Sequence, residues 1–163
     1  MCTKALTWTT TPRCSTGWNP DLVLPDVNVL VYAHREDADN HLKYRAWLEA
    51  LLNGDAAYGV CSVVLSGFLR VVTHPKVFRS PSTINQAIAF AEQIRSRPNA
   101  VPVEPGPRHW GIFRRLCVDH GVRGNLVPDA YLAALAIESG CEWVSADRDF
   151  NRFQELRWRH PLD

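Results

Sequence analysis

The apolar positions of this chain fall into short runs and into stripes with a helical period. The first run, Leu22 to Ala33, is interrupted by Pro25 and Asp26. Proline cannot donate to the ladder of a central strand, so this run predicts a strand ending near Pro25 with Asp26 at its carboxyl end. A polar stretch with helix-start chemistry covers 34–41. Tyr44, Trp47, Leu48, Leu51 and Leu52 then keep the i, i+3, i+4, i+7 spacing of an amphipathic helix that runs to about Gly54. Residues 57–60 suit a short strand. Ser62 is the expected cap of 63–72, a β-branched segment read as a helix that stops before Pro75. Thr83 opens a stripe of Ile84, Ala87, Ile88, Ala91 and Ile94. Val101 and Val103 predict another short strand, and Trp110, Phe113, Leu116 and Cys117 a helix over 108–120. Residues 129–139 are helix formers apolar nearly all round, so that helix is expected to be buried and closed by Gly140. A brief strand at 142–145 completes the series. Short strands alternating with longer helices imply an α/β fold with a parallel sheet covered on both faces.

Composition narrows the class without naming a partner. With 163 residues, 46% of them apolar and 21% charged, the chain suits one domain with its own core. A net charge of +1 requires any nucleic-acid footprint to be local. Five scattered cysteines without a CxxC pair argue against a disulfide framework or a zinc site and fit a reducing, cytoplasmic setting. No stretch approaches the length of a membrane span. Residues 1–20, rich in Thr and Pro, are expected to be a disordered extension or a cloning remnant, with a single domain over 21–163.

The chemistry lies in carboxylates at element junctions. An ionised Asp inside an apolar segment is costly unless it is paired, hydrogen-bonded or bound to a cation, which is the position of Asp26. Asp129 opens the buried helix, and Asp147 and Asp149 follow the last strand. Each alone suits a cap or turn. Together, at strand ends and a helix start, they suit convergence on one crevice, where a divalent cation such as Mg²⁺ or Mn²⁺ would offset their repulsion. Such a site activates a water and stabilises a phosphoryl group in flight. No His spacing of HxH or HExxH type and no Gly-rich phosphate loop is present.

Four blocks in this order make the pattern specific: Leu24 to Ala33 around Asp26, Val72 to Pro75, Val127 to Ala136 around Asp129, and Val144 to Phe150 around Asp147 and Asp149. They resemble the PIN-domain nucleases, and within them the VapC toxins of toxin–antitoxin pairs, over residues 22–162. The resemblance implies a three-layer α/β/α sandwich with a short, mainly parallel sheet. It implies a Mg²⁺-dependent endoribonuclease, with Mn²⁺ plausible, held in check by a VapB-type antitoxin in a homodimer or toxin–antitoxin hetero-oligomer. Asp26, Asp129 and Asp147 match the metal-holding acids, Asp149 an accessory catalytic acid, and Asn28 and Ser145 supporting polar positions. One position departs: Gly67 stands where the family usually has a helix Glu. That keeps an alternative open, a catalytically weakened module that binds RNA and antitoxin. A phosphoaspartyl enzyme is disfavoured, because position 28 is Asn and no Lys follows the late strand.

RNA also needs cations near the acids. Arg123, in the loop before the Asp129 helix, and Arg148, between the two late aspartates, are the phosphate candidates, while Arg114 and Arg115 suit a solvated helix face. Trp47, Trp110 and Trp143, on apolar stripes, are expected in the core.

Overall fold

A computed structural model describes residues 21–163; the expectation for 1–20 lies outside the described residues. The order of elements is β1 (Val23–Pro25), α1 (Val27–His34), α2 (His41–Asn53), β2 (Tyr58–Val60), α3 (Ser62–Val72), α4 (Ile84–Arg95), β3 (Ala100–Pro102), α5 (His109–Asp119), α6 (Leu126–Ser139), β4 (Glu142–Val144), a short 3₁₀ helix (Arg148–Arg152) and β5 (Trp158–Arg159). The strands form one sheet in the order β3-β2-β1-β4-β5, and every pairing is parallel. From β1 the chain steps outward to β2 and β3, then crosses back to β4 on the other side of β1. Right-handed crossovers place α1 to α4 on one face and α5 and α6 on the opposite face. The helix packing agrees, pairing α1 with α2 and α3, α3 with α4, and α5 with α6. The fold is the three-layer α/β/α sandwich expected from the sequence, with an all-parallel sheet.

Pro25 can end the central strand for a simple geometric reason. The Asp26 N–H donates to the Val144 carbonyl at 2.9 Å, so Asp26 faces β4 and alternation turns Pro25 towards β2. The β1–β2 register is confined to Val23 opposite Tyr58. The donor that proline lacks therefore falls beyond the end of that ladder.

Three readings of the sequence need correction. Residues 27–34, in which the apolar run itself signals no helix, form α1, with Val29, Leu30, Val31 and Ala33 buried. Packing overrides the weak helix preference of the β-branched residues once Pro25 has stopped the strand. Ser62 is not the cap of α3; Cys61 occupies that position, and the Ser62 hydroxyl donates to Glu104 Oε1 at 2.8 Å. Trp110 is 68% exposed instead of belonging to the core. His109 takes the inward position, its ring nitrogen on the Tyr131 carbonyl at 2.9 Å. Trp143 is fully buried and Trp47 partly so. Helix α6 is sealed as expected, with Ala130 and Leu132 to Ala136 all buried. Burial pushes the Cys141 thiol up to about 11, which suits a core hydrophobe.

Thr83 does cap α4, through a capping box: its hydroxyl accepts from the Gln86 N–H, and the Gln86 side chain accepts from the Thr83 N–H. Thr83→Ala should cost about 1 kcal/mol of stability. A urea titration reads this as an earlier midpoint, and an unmoved midpoint would remove the box from the account.

Candidate active site

Beside β1 the chain reverses its direction of travel across the sheet, and ligands of open α/β sheets bind outside the carboxyl ends of strands at such a switch point. Asp26 follows β1 and Ser145 follows β4 at this edge. Asp26 is only 5% exposed, yet both its oxygens are used. Oδ1 accepts the Val27 N–H at 2.6 Å, which caps α1. Oδ2 accepts from Ser145 Oγ at 2.6 Å and from Asn28 Nδ2 at 2.9 Å. Asn28 Nδ2 also donates to Ser145 Oγ at 2.9 Å, and Asn28 Oδ1 accepts the Ala146 N–H at 3.0 Å. Ser145 Oγ takes a further bond from the Asp147 N–H at 3.0 Å. Asn28 and Ser145 thus tie the end of β1, the start of α1 and the end of β4 into one frame, with Asp26 fixed at its centre.

The other acids approach from two elements. Asp129 lies in the first turn of α6, half-buried. Asp147 caps the 3₁₀ helix by accepting the Asp149 N–H at 2.8 Å, and Asp147 and Asp149 are exposed. Their shared field is visible in the ionisation of the buried pair. Burial raises Asp26 to about 6 against hydrogen bonds from Ser145 and Val27, with Asp129 and Asp147 adding to the rise. Burial also raises Asp129, helped by Asp147 and Asp149 and opposed by Arg152.

The four acids act on one another's charge without forming a closed cage. Among the described residues, no three His, Cys, Asp or Glu side chains stand close enough to hold a metal ion by themselves. Mutual repulsion opposes a closed arrangement, and Asp147 Oδ1 is turned towards the Asp149 amide. An open, oxygen-only set still fits Mg²⁺, which usually keeps several waters and takes only one or two carboxylates from the protein.

Gly67 lies on α3 beside this frame. A Cβ built on it would meet Val27 Cγ2 at 2.8 Å, so the position that could have supplied a further acid is closed by the residue next to Asp26.

The predicted cations are distributed unevenly. Arg148 is 71% exposed and points to Asp163, 3.6 Å away, not to either neighbouring aspartate. Arg123 is exposed in the loop between α5 and α6, with no ion pair to an acid among the described residues. Arg152, which sequence reasoning missed, is the guanidinium whose charge reaches Asp129, and it also pairs with Asp149 Oδ1 at 3.7 Å. Its i, i+3 spacing from Asp149 was the available signal.

Comparison with known proteins gives the family of the chain. The PIN domain family model matches residues 23–156. The chain is 49% identical over 138 residues to VapC ribonuclease Mb2897 of Mycobacterium bovis, covering 85% of this chain and 94% of that protein. It is 43% identical over 140 residues to ribonuclease VapC25 of Mycobacterium tuberculosis, covering 86% and 99%. Among solved structures, VapBC2 from Rickettsia felis bound to a promoter DNA fragment superposes with a TM-score of 0.61 at 21% identity, over 85% of this chain and 98% of that one. Mycobacterium tuberculosis VapC20, described as a Sarcin-Ricin loop cleaving toxin, gives a TM-score of 0.61 at 15% identity, over 84% and 98%. With its all-parallel sheet, the family model over most of its length and relatives at 43% and 49% identity, the chain belongs to the PIN-domain family, and within that family to the VapC proteins.

Proposed function

We propose that this protein is a Mg²⁺-dependent endoribonuclease, the toxin of a toxin–antitoxin pair. The observation that carries the reading is the acidic crevice at the switch point, where Asp26 is held ready by Asn28 and Ser145 while Asp129, Asp147 and Asp149 add to the same negative field. Relatives at 43% and 49% identity that are named ribonucleases support it. A bound Mg²⁺ or Mn²⁺ would supply a reactive water at neutral pH and offset charge on the phosphoryl oxygens.

The protein's own part is positioning. The metal ligands would be Asp26, Asp129 and Asp147, with Asp149 acting through water. Asn28 and Ser145 hold Asp26 by its Oδ2 edge, so little reorganisation is needed when a cation arrives. Burial strengthens the effect: the attraction between a cation and a carboxylate grows where water screens it poorly. A VapB-type antitoxin is the partner we infer, since similar folds are found in VapBC complexes, in a homodimer or hetero-oligomer within a reducing cytoplasm. Among the described residues no helix is long and apolar enough to cross a membrane. Gly67, where an added Cβ would meet Val27 Cγ2 at 2.8 Å and which therefore supplies no acid, favours a second reading, a weakened module that binds RNA with little turnover.

The test is cleavage of single-stranded RNA by the purified chain in Mg²⁺, in Mn²⁺ and in a chelator. Fragments should appear with either ion and disappear on chelation. Cleavage that persists without metal would overturn the metal assignment, and RNA bound but uncut in saturating Mn²⁺ would favour the weakened module.

A further inference from the structure

The crevice poses an electrostatic problem for any phosphodiester: four carboxylates face a substrate that is itself an anion. We propose that Arg152 is the group that holds the substrate phosphate at this site, an inference that rests on the ribonuclease reading above. Arg152 ends the 3₁₀ helix whose first residues carry Asp147 and Asp149. Its Nε donates to the Asp149 carbonyl at 3.1 Å, which fixes the root of the guanidinium on that turn. Its Nη2 lies 3.7 Å from Asp149 Oδ1, an ion pair longer than a hydrogen bond. Its charge also acts on Asp129, across the crevice on α6. The guanidinium therefore sits against Asp149 while its terminal N–H groups make no hydrogen bond within the described residues.

That combination suits a phosphate. A planar guanidinium whose terminal edge is free can take two non-bridging oxygens at once, which an ammonium cannot. The side chain is 36% exposed, so a ligand can reach it. Arg148 is drawn towards Asp163, and Arg123 has no ion pair with the acids among the described residues. In the metal-free protein Arg152 serves the acids as a partial counter-ion. A cation entering the crevice takes over that duty and frees the guanidinium for the substrate.

Binding of a labelled single-stranded RNA, followed by anisotropy against salt in the uncleaving Asp26→Asn background, tests this. Adding Arg152→Gln should weaken binding about tenfold and reduce the slope of log affinity against log salt by about one. Arg152→Lys should restore the slope and only part of the affinity. Mn²⁺ binding, titrated on Arg152→Gln alone, should be unchanged or tighter, because the resident cation competes with the metal. An unchanged salt slope in Arg152→Gln, or weaker Mn²⁺ binding with RNA affinity intact, would overturn the proposal and leave a structural ion pair. Wild-type protein that cuts RNA while Arg152→Gln keeps the full slope defeats this inference alone. Wild-type protein that neither cuts nor binds RNA defeats the ribonuclease reading as well.

Discussion

Asp26→Asn should lower RNA cleavage by more than about a hundredfold, since even the outer partners of a metal site cost about 10–100-fold when removed, and Asp26 lies closer to the chemistry than they do. The same variant should flatten the dependence of metal-free stability on pH. The ordinary carboxyl value of 3.8 rises to about 6 in the folded protein, chiefly through burial. The folded state thus holds this proton more tightly than the unfolded chain does. The stability so gained is fully present below about pH 4 and is lost as pH rises through about 6. At about 1.4 kcal/mol per unit, ionising Asp26 costs the metal-free fold roughly 3 kcal/mol. Asp129 is shifted the same way and contributes in both proteins, so the difference between the two curves isolates Asp26. At pH 7 the variant recovers less than the full amount. Both Asp26 oxygens accept hydrogen bonds, and an amide nitrogen placed at either edge would face a donor, at about 1–3 kcal/mol. Urea unfolding of both proteins in a chelator from pH 4 to 7 measures the effect, and parallel curves would show that Asp26 is not the strained acid.

Much of this was legible in the sequence because the relevant rules are local. Pro25 forbids a longer central strand, Thr83 opens the stripe that becomes α4, and the nearly uniform apolarity of 129–139 demands burial. The failures share a cause, which is that tertiary contacts decided them. Residues 27–34 carry strand-like side chains but begin just after a proline-stopped strand, and the Asp26 cap starts a helix there. An apolar count treats histidine as polar and so turns Trp110 inward; His109, bonded to the Tyr131 carbonyl, fills that position instead. The acids were individually visible at element junctions, and Asp129, Asp147 and Asp149 stand close enough to act on one another's charge and on that of Asp26. Their open arrangement was not visible, since spacing along the chain says nothing about where a side-chain oxygen points. Arg152 was overlooked because a lone arginine in a basic tail acquires meaning only from the turn that carries it back over Asp149.

Gly67→Glu, the substitution that would seem to repair the acidic set, should instead destabilise the protein by about 1–3 kcal/mol and fail to raise cleavage. The register is right: a side chain at 67 would leave α3 towards Val27, the neighbour of Asp26. The space is not there. Val27 Cγ2 would lie 2.8 Å from the new Cβ, and this is a β-branched side chain in the first turn of α1, with one strongly preferred rotamer in a helix. Relief requires moving α1, and with it the Asp26 cap and the Asn28 bonds to Asp26 and Ser145. Replacing glycine within a helix returns up to about 1 kcal/mol, which offsets only part of the overlap. A fifth carboxylate would also add to the repulsion that already raises Asp129. The double variant Val27→Ala/Gly67→Glu removes the obstructing methyl groups, so it should recover stability relative to the single variant and bind Mn²⁺ more tightly than wild type. Unfolding midpoints and Mn²⁺ titrations of the three proteins decide the matter. A single variant as stable as wild type would mean that α1 yields easily. A double variant with unimproved Mn²⁺ affinity would mean that position 67 does not face the metal.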